Sequence, residues 1–283
     1  MKDQNSTTFH QKTILLSFLF MVIAMPSWAQ IEISGKITNS EGKGIGFVSV
    51  GVINDTIGVI SDKNGYYKLF VPDKHHDLTF SHVSYNNFVL PYSVYSKNKV
   101  NNVSMKEKTV ELSTVNVVYG KKTKTISGMG LKLPGALVAS GKKSSYETGA
   151  IITVGKNYVA ERIRIPVLGN TYEQCTVSVK IYNIDNKNVF KCIQNRPLYI
   201  PMKKCGKTTL DITLEEKIIL EKGHRYCIGI AIINPTTNGQ FVLPAYLKSG
   251  YVRNYVMGRR KKIPASAGIK VEGREICDKP ASP

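Results

Sequence analysis

The chain has 283 residues, with 39 Lys or Arg against 20 Asp or Glu, for a formal net charge of +19. Its hydrophobic content of 42% excludes a disordered chain and leaves room for one large domain or two small ones. So large a basic surplus points either to an anionic neighbour (lipopolysaccharide, an acidic polysaccharide, an acidic protein or nucleic acid) or to solubility charge spread over the surface.

Residues 1–29 have the three parts of a cleavable signal peptide. A polar start carries Lys2 and Lys12, an apolar run follows over 13–25, and Pro26 breaks it before Ser27-Trp28-Ala29. The run is shorter than the roughly 20 apolar residues a spanning helix needs. No Cys follows the cut to take a lipid, and no later run is long enough to form a transmembrane segment. The mature chain of 254 residues, net +18, is therefore expected to be exported: periplasmic, associated with the outer membrane, or secreted.

The next segments are strand-length apolar runs punctuated by Gly, Asn, Asp and Pro, with no long stretch of helical periodicity. Strands are predicted over 31–37, 47–53, 58–61, 66–71, 78–83, 87–90, 100–105 and 110–118, roughly a seven-stranded sandwich spanning 30–118. Asn64-Gly65 can supply the positive φ of a tight turn. Residues 119–147, rich in Gly and Lys, read as a linker. Strands return over 149–154, 159–168, 175–183, 198–202, 208–213, 217–220, 225–233, 240–246, 251–257 and 269–277. They suit a jelly-roll-like double sheet over 148–283, so the fold class is all-β. In 175–183, Cys175, Val177, Val179 and Ile181 alternate with Thr176, Ser178, Lys180 and Tyr182, predicting one wet face. The run 226–233 is apolar on both faces and is predicted to be central.

Cys175, Cys192, Cys205, Cys227 and Cys277 all lie in the second half. Export permits pairing, and an odd count leaves at least one thiol free or intermolecular. Cys227, within an apolar run, reads as a small core residue.

The first sandwich resembles the carboxypeptidase regulatory-like domain, a transthyretin-like fold. The resemblance rests on Ile33-Ser34-Gly35-Lys36-Ile37, on Gly44 to Val50, on Ser61-Asp62-Lys63-Asn64-Gly65-Tyr66-Tyr67-Lys68-Leu69, and on Leu78 to Tyr85. The Asp-x-x-Gly-x-Tyr turn is its most specific piece, with Tyr67 or Tyr66 expected to cover the core edge. Ser84 and Gly46 depart from the Gly and Pro often found in the family. The resemblance covers about a third of the chain and implies a non-catalytic domain. In cell envelopes of the Bacteroidota type such domains precede TonB-dependent transporters or accompany peptidases. The stretch 110–120 looks like the segment that follows the domain in those transporters, and here is read as the sandwich's last strand. The second half is similar, more weakly, to an exported β-sandwich found behind the same domain.

Catalytic signatures are missing. None of His10, His75, His76, His82 and His224 has Glu three residues on, so the zinc opening of a metallocarboxypeptidase is absent. Cys and His spacings fit no zinc motif, and His75-His76-Asp77 reads as a solvated turn. From Gly135 to Lys142 the likeness to a phosphate loop fails on glycine spacing and on Lys143 in place of Ser or Thr. No Gly-x-Ser-x-Gly elbow occurs. Paired acids for glycoside hydrolysis would be paired in space rather than sequence; Glu215-Glu216 reads as a solvated turn. No catalytic residue, metal ligand or cofactor is predicted.

Binding surfaces remain. Tyr251, Arg253 and Tyr255 alternate on one strand; two rings flanking a guanidinium either stack on a sugar and clamp an anion, or form core with Arg253 at the rim. Arg162 and Arg164 share a face of another strand. Arg259-Arg260-Lys261-Lys262 is either a solvated loop or an anionic contact. Trp28, the only Trp, leaves with the signal peptide, so any sugar site relies on Tyr. Asp55-Thr56-Ile57 resembles a short bacterial O-glycosylation acceptor. Nucleic acid fits neither the compartment nor any module signature. The leading expectation is a non-catalytic envelope protein that binds an anionic polysaccharide or an envelope protein, or assembles through strand edges. The alternative is an exported hydrolase or an accessory subunit of a peptidase or glycosidase.

Overall fold

The computed structural model describes residues 30–55, 57–72, 76–96, 100–109, 118–120, 122–141, 146–254 and 260–277. The expected signal peptide, Thr56, His75, residues 110–117 of the expected last strand of the first sandwich, Tyr255 and Arg259 lie outside the described residues. Among the described residues the chain is nearly all β, and no helix is long and apolar enough to cross a membrane.

Among its described residues the first sandwich has seven strands: β1 (Gln30–Thr38), β2 (Ser49–Val52), β3 (Gly58–Ile60), β4 (Tyr66–Pro72), β5 (Leu78–His82), β6 (Tyr85–Leu90) and β7 (Val103–Ser104), with one short helix, α1 (Tyr92–Tyr95). They form two sheets, ordered β4-β1-β7 and β3-β2-β5-β6. The alternation of β4 decides its orientation: Tyr67, Leu69 and Val71 enter the core beside Ile33, Val50 and Phe80, while Tyr66 and Phe70 face out. Tyr67 is thus the ring at the core edge, and its hydroxyl donates to the Asn101 carbonyl at 2.7 Å. The turn before it is tied by Asp62, whose Oδ1 accepts the N–H groups of Asn64 and Tyr66, each at 2.8 Å. Gly65 sits at φ 87°, where a Cβ would strike the Ile37 carbonyl.

The second sandwich contains β8 (Val118–Tyr119), β9 (Lys124–Ser127), β10 (Leu131–Ser140), β11 (Tyr146–Thr153), β12 (Tyr158–Val167), β13 (Gly169–Ile184), β14 (Phe190–Cys192), β15 (Leu198–Cys205), β16 (Thr208–Leu220), β17 (Arg225–Ile233), β18 (Gln240–Asn254), β19 (Lys261–Ala267) and β20 (Lys270–Cys277). An eight-stranded sheet runs β10-β18-β11-β17-β13-β14, with β15 on β13 and β19 on β18. A five-stranded sheet runs β16-β12-β20-β8, with β9 on β20. Between them lies the larger core, built from Ile163 and Ile165 of β12, Val177 and Ile181 of β13, and Ile228 and Ile230 of β17.

Three sequence expectations change. Residues 119–147 are not a linker: they supply β9, β10 and the start of β11. Their Gly and Lys content reflects an edge strand, since β10 ends the larger sheet and breaks register between Lys132 and Ala136, around Pro134 and Gly135. Pro, a bulge and Lys are what keep an edge strand from pairing further. Val118, expected at the end of the first sandwich, pairs with Cys277 of β20 instead. The face of β13 expected to be wet is covered, with Ser178 and Tyr182 both buried. The strand predicted to be central, β17, does lie between β11 and β13.

The cover on that face is partly the first sandwich. Phe47 and Ile60 pack on Ala231, Ile233 and Tyr199. Phe47 holds a left-handed φ of 61° that aims its ring edge-on at Tyr199, centroids 4.9 Å apart. Ser84 Oγ donates to the Asn195 carbonyl at 2.7 Å. His82 is buried, its Nδ1 accepting the Ser84 N–H at 3.2 Å, which places the neutral ring's proton on Nε2, 3.3 Å from the Tyr199 hydroxyl. Burial, then the charges of Lys180 and Lys108, push its pKa down to about 4. A free imidazole takes up its proton near pH 6.5 and the docked one only near 4, so acidification across that window favours separation or unfolding. Unfolding followed against pH should lose up to about 3 kcal/mol between pH 6.5 and 4, and His82→Phe should remove much of that slope; an unchanged slope would contradict the docked-histidine account.

Candidate functional site

Direct cross-strand neighbours share a face of a sheet, and the register places one polar cluster on the outer face of the eight-stranded sheet. One row reads Arg253 (β18), Glu147 (β11), Ala231 (β17) and Ser178 (β13); the next reads Tyr251, Gly149, Gly229 and Lys180. Gly149 and Gly229 are opposite each other, and their missing side chains make the floor. A Cβ on Gly229 would lie 2.6 Å from the Tyr251 hydroxyl and 2.8 Å from the Glu147 carboxyl carbon. A Cβ on Gly149 would lie 2.5 Å from the Tyr251 ring. Tyr251 therefore lies across two glycines to reach Glu147.

Glu147 is fully buried at 0% exposure, and its carboxylate is saturated with donors. Arg253 donates from Nε at 3.0 Å and from Nη2 at 3.2 Å, Tyr182 donates its hydroxyl at 2.9 Å, and Tyr251 donates its own. Arg253 also donates to the Tyr182 hydroxyl at 2.8 Å. Burial alone would raise the Glu147 pKa, but Arg253, Lys180 and the donated hydrogen bonds hold it below the usual carboxylate range. The same carboxylate, after burial, pushes the Tyr251 hydroxyl and the Cys227 thiol well up, so both stay protonated.

Phe190 closes the outer end, edge-on to Tyr251 at 5.2 Å and to Tyr182 at 6.0 Å. Arg260 lies over Phe190 with its guanidinium 4.2 Å from the ring centroid, and 5.5 Å from that of Tyr182. No ion pair joins Arg260 to an acid among the described residues. Burial of its guanidinium and then the charge of Arg253 lower its pKa.

Of the residues singled out from sequence, Tyr251 and Arg253 do share a face, but that face is interior: Tyr251 is buried and Arg253 is paired with Glu147, so they offer no exposed platform. Arg162 and Arg164 are half-exposed on the outer face of the smaller sheet, bridged by Asp211 at 2.9 and 3.4 Å, and Arg164 also meets Glu272 at 3.5 Å. They are far in the topology from the Glu147 cluster. Lys261 and Lys262 are exposed on β19. The expected turn at Glu215-Glu216 is instead part of β16; Glu216 accepts the backbone N–H of Asn195 at 3.0 Å, while Glu215 meets Arg196 at the surface. Asp77 accepts the Tyr92 N–H at 2.9 Å. All five cysteines are unpaired thiols. Among the described residues no group of three metal-ligating side chains converges.

Sequence reasoning missed Glu147, Tyr182 and Phe190. Glu147 was hidden at the end of a segment whose composition resembles a linker. The available signal was the pair Gly149 and Gly229 in strands otherwise rich in bulky residues, a mark of close approach.

Residues 33–117 match the model of the CarboxypepD_reg-like domain. The first sandwich is a carboxypeptidase regulatory-like domain. No curated protein matches the chain. Among solved structures, a DUF3823 family protein from Parabacteroides merdae aligns at 9% identity and TM-score 0.22, covering 76% of this chain and 98% of that one. A structure of the infectious bursal disease virus Gx strain aligns at 7% identity and TM-score 0.28, covering 87% of this chain and 62% of that one. Likenesses at this level carry no argument about the second sandwich.

The cluster makes a sharp stability prediction. Glu147→Ala leaves the Arg253 guanidinium buried and unpaired and should cost about 3–5 kcal/mol in urea unfolding. Replacing both, as Glu147→Leu with Arg253→Met, should cost clearly less than Glu147→Ala alone. A single substitution that cost under about 1 kcal/mol would show that the pair is not buried as described.

Proposed function

We propose that this is a non-catalytic, exported cell-envelope protein whose second sandwich binds an anionic polysaccharide through Arg260 and its aromatic bed. Arg260 carries the reading. It is a cation fixed on Phe190, beside Arg253, with no ion pair to an acid among the described residues. Arg253 already pairs with Glu147, so Arg260 adds positive charge at the cluster that favours an incoming anion. A planar guanidinium held by a ring is pre-organised for bidentate pairing with a carboxylate or sulfate. The signal-like first 29 residues and the net charge of +19 are consistent with an anionic envelope partner.

The acids support the non-catalytic part. Glu147 is locked by four donors, Asp211 and Glu272 sit in arginine and lysine pairs, Glu275 bridges Lys124 and Lys156, and Glu161 holds Arg274 at 2.5 Å. Each is engaged in an ion pair, which favours a structural role for these carboxylates. The regulatory-like domain packed against the outer face points the same way.

The test is binding of the mature chain to polygalacturonate, with dextran as the neutral control. Affinity for polygalacturonate should fall as salt rises, and Arg260→Ala should weaken it about tenfold, roughly the worth of one charged contact. Arg260→Lys should recover only part of the loss. Equal retention of dextran, or an Arg260→Ala variant that binds as well as the parent, would contradict the proposal.

A further inference from the structure

The opposite face of the same sheet carries a second feature. A cavity of about 200 Å³ adjoins the large core, lined by residues of β10, β11, β17, β18 and β19. Its floor is Ile230, Ile232, Phe241 and Leu243, and its walls include Leu137 and Val252. The hydroxyl of half-buried Thr148 is turned aside to the Tyr251 carbonyl at 3.3 Å. Interiors are packed with few voids larger than a water, and an apolar lining of this size favours an apolar guest. The mouth is different in kind. Tyr146 is 61% exposed there. Lys261 pairs directly with Val252, which pairs with Thr148, which pairs with Ile230, so Lys261 stands on the cavity face at the rim. Lys261 is exposed, and no ion pair joins it to an acid among the described residues.

We infer that this cavity binds a short aliphatic chain bearing an anionic head, the chain against Ile230 and Phe241 and the head at Lys261. The volume sets the chain length: a cavity of roughly 150 Å³ lined by Leu, Ile and Phe holds a benzene ring, so this one takes a chain of about six carbons. The apolar lining excludes a sugar or a peptide backbone, whose polar groups would go unpaired inside. The rim charge selects the sign of the head. The site is separate from the Arg260 contact, which faces the other side of the sheet.

The test uses the mature full-length chain and three probes of equal length: hexanoate, hexanol and hexylamine. Calorimetric titration should show saturable hexanoate binding with a Kd of about a millimolar or below. Hexanol should bind more weakly, and hexylamine at least about fivefold more weakly than hexanoate. Ala139→Leu, which pushes a side chain into the cavity wall, should abolish hexanoate binding, with thermal unfolding confirming that the variant is folded. Lys261→Glu, at an exposed position, should reverse the preference between hexanoate and hexylamine. Absence of saturable hexanoate binding, hexylamine binding as tight as hexanoate, or an unchanged preference in Lys261→Glu would each overturn the inference. Polygalacturonate binding by Ala139→Leu should be retained, which separates failure here from failure of the polysaccharide reading.

Discussion

A single buried carboxylate constrains the architecture of the second sandwich. An ionised Glu147 with no solvent must be met by donors on every side, and Arg253, Tyr182 and Tyr251 supply them from three positions on two other strands. That requirement fixes how β11, β13 and β18 lie relative to one another, and it demands glycine at 149 and 229 so that the tyrosine can cross the sheet. A buried ion pair of this kind adds little net stability over an apolar replacement. What it enforces here is register, because a one-residue slip of β11 would turn Glu147 into the apolar core.

A sheet face that holds such a cluster cannot be left to water. Phe190 and Arg260 cover one end, and the regulatory-like domain covers the other through Phe47, Ile60 and the His82–Tyr199 contact. The two domains are therefore coupled by the need to dry one surface. Arg260 and Lys261, adjacent in sequence, then fall on opposite sides of the sheet, one over the polar cluster and one at the mouth of the apolar cavity. One short basic run thereby serves two different chemical environments.

The fold was readable where local rules dominate. The Asp62 to Tyr67 turn, the alternation of β4 and the apolar run of β17 each announced their structure, because turn chemistry and period-two burial are written within a few residues. The site was readable only in part. Alternation showed that Tyr251 and Arg253 share a face, and likewise Ser178 with Lys180, but it could not say what covers that face. The cover comes from residues such as Phe47 and Phe190, distant in sequence. Glu147 stayed hidden because an edge strand such as β10, carrying Pro134, Gly135 and Lys132, has the composition of a linker; the pairing of β10 with β18 is a non-local fact. Arg162 and Arg164 alternate along β12, and the acid between them, Asp211, arrives from another strand.

The claim on which the rest depends is that Glu147 is a charged group sealed inside the protein by Arg253 and two tyrosines. Carbon-13 NMR titration of the glutamate side-chain carboxyls measures this directly. The account predicts a Glu147 resonance that stays in its ionised position as pH falls below the ordinary glutamate value of about 4.3, moving only when the protein unfolds. A resonance that titrates at or above that value in the folded protein would contradict it.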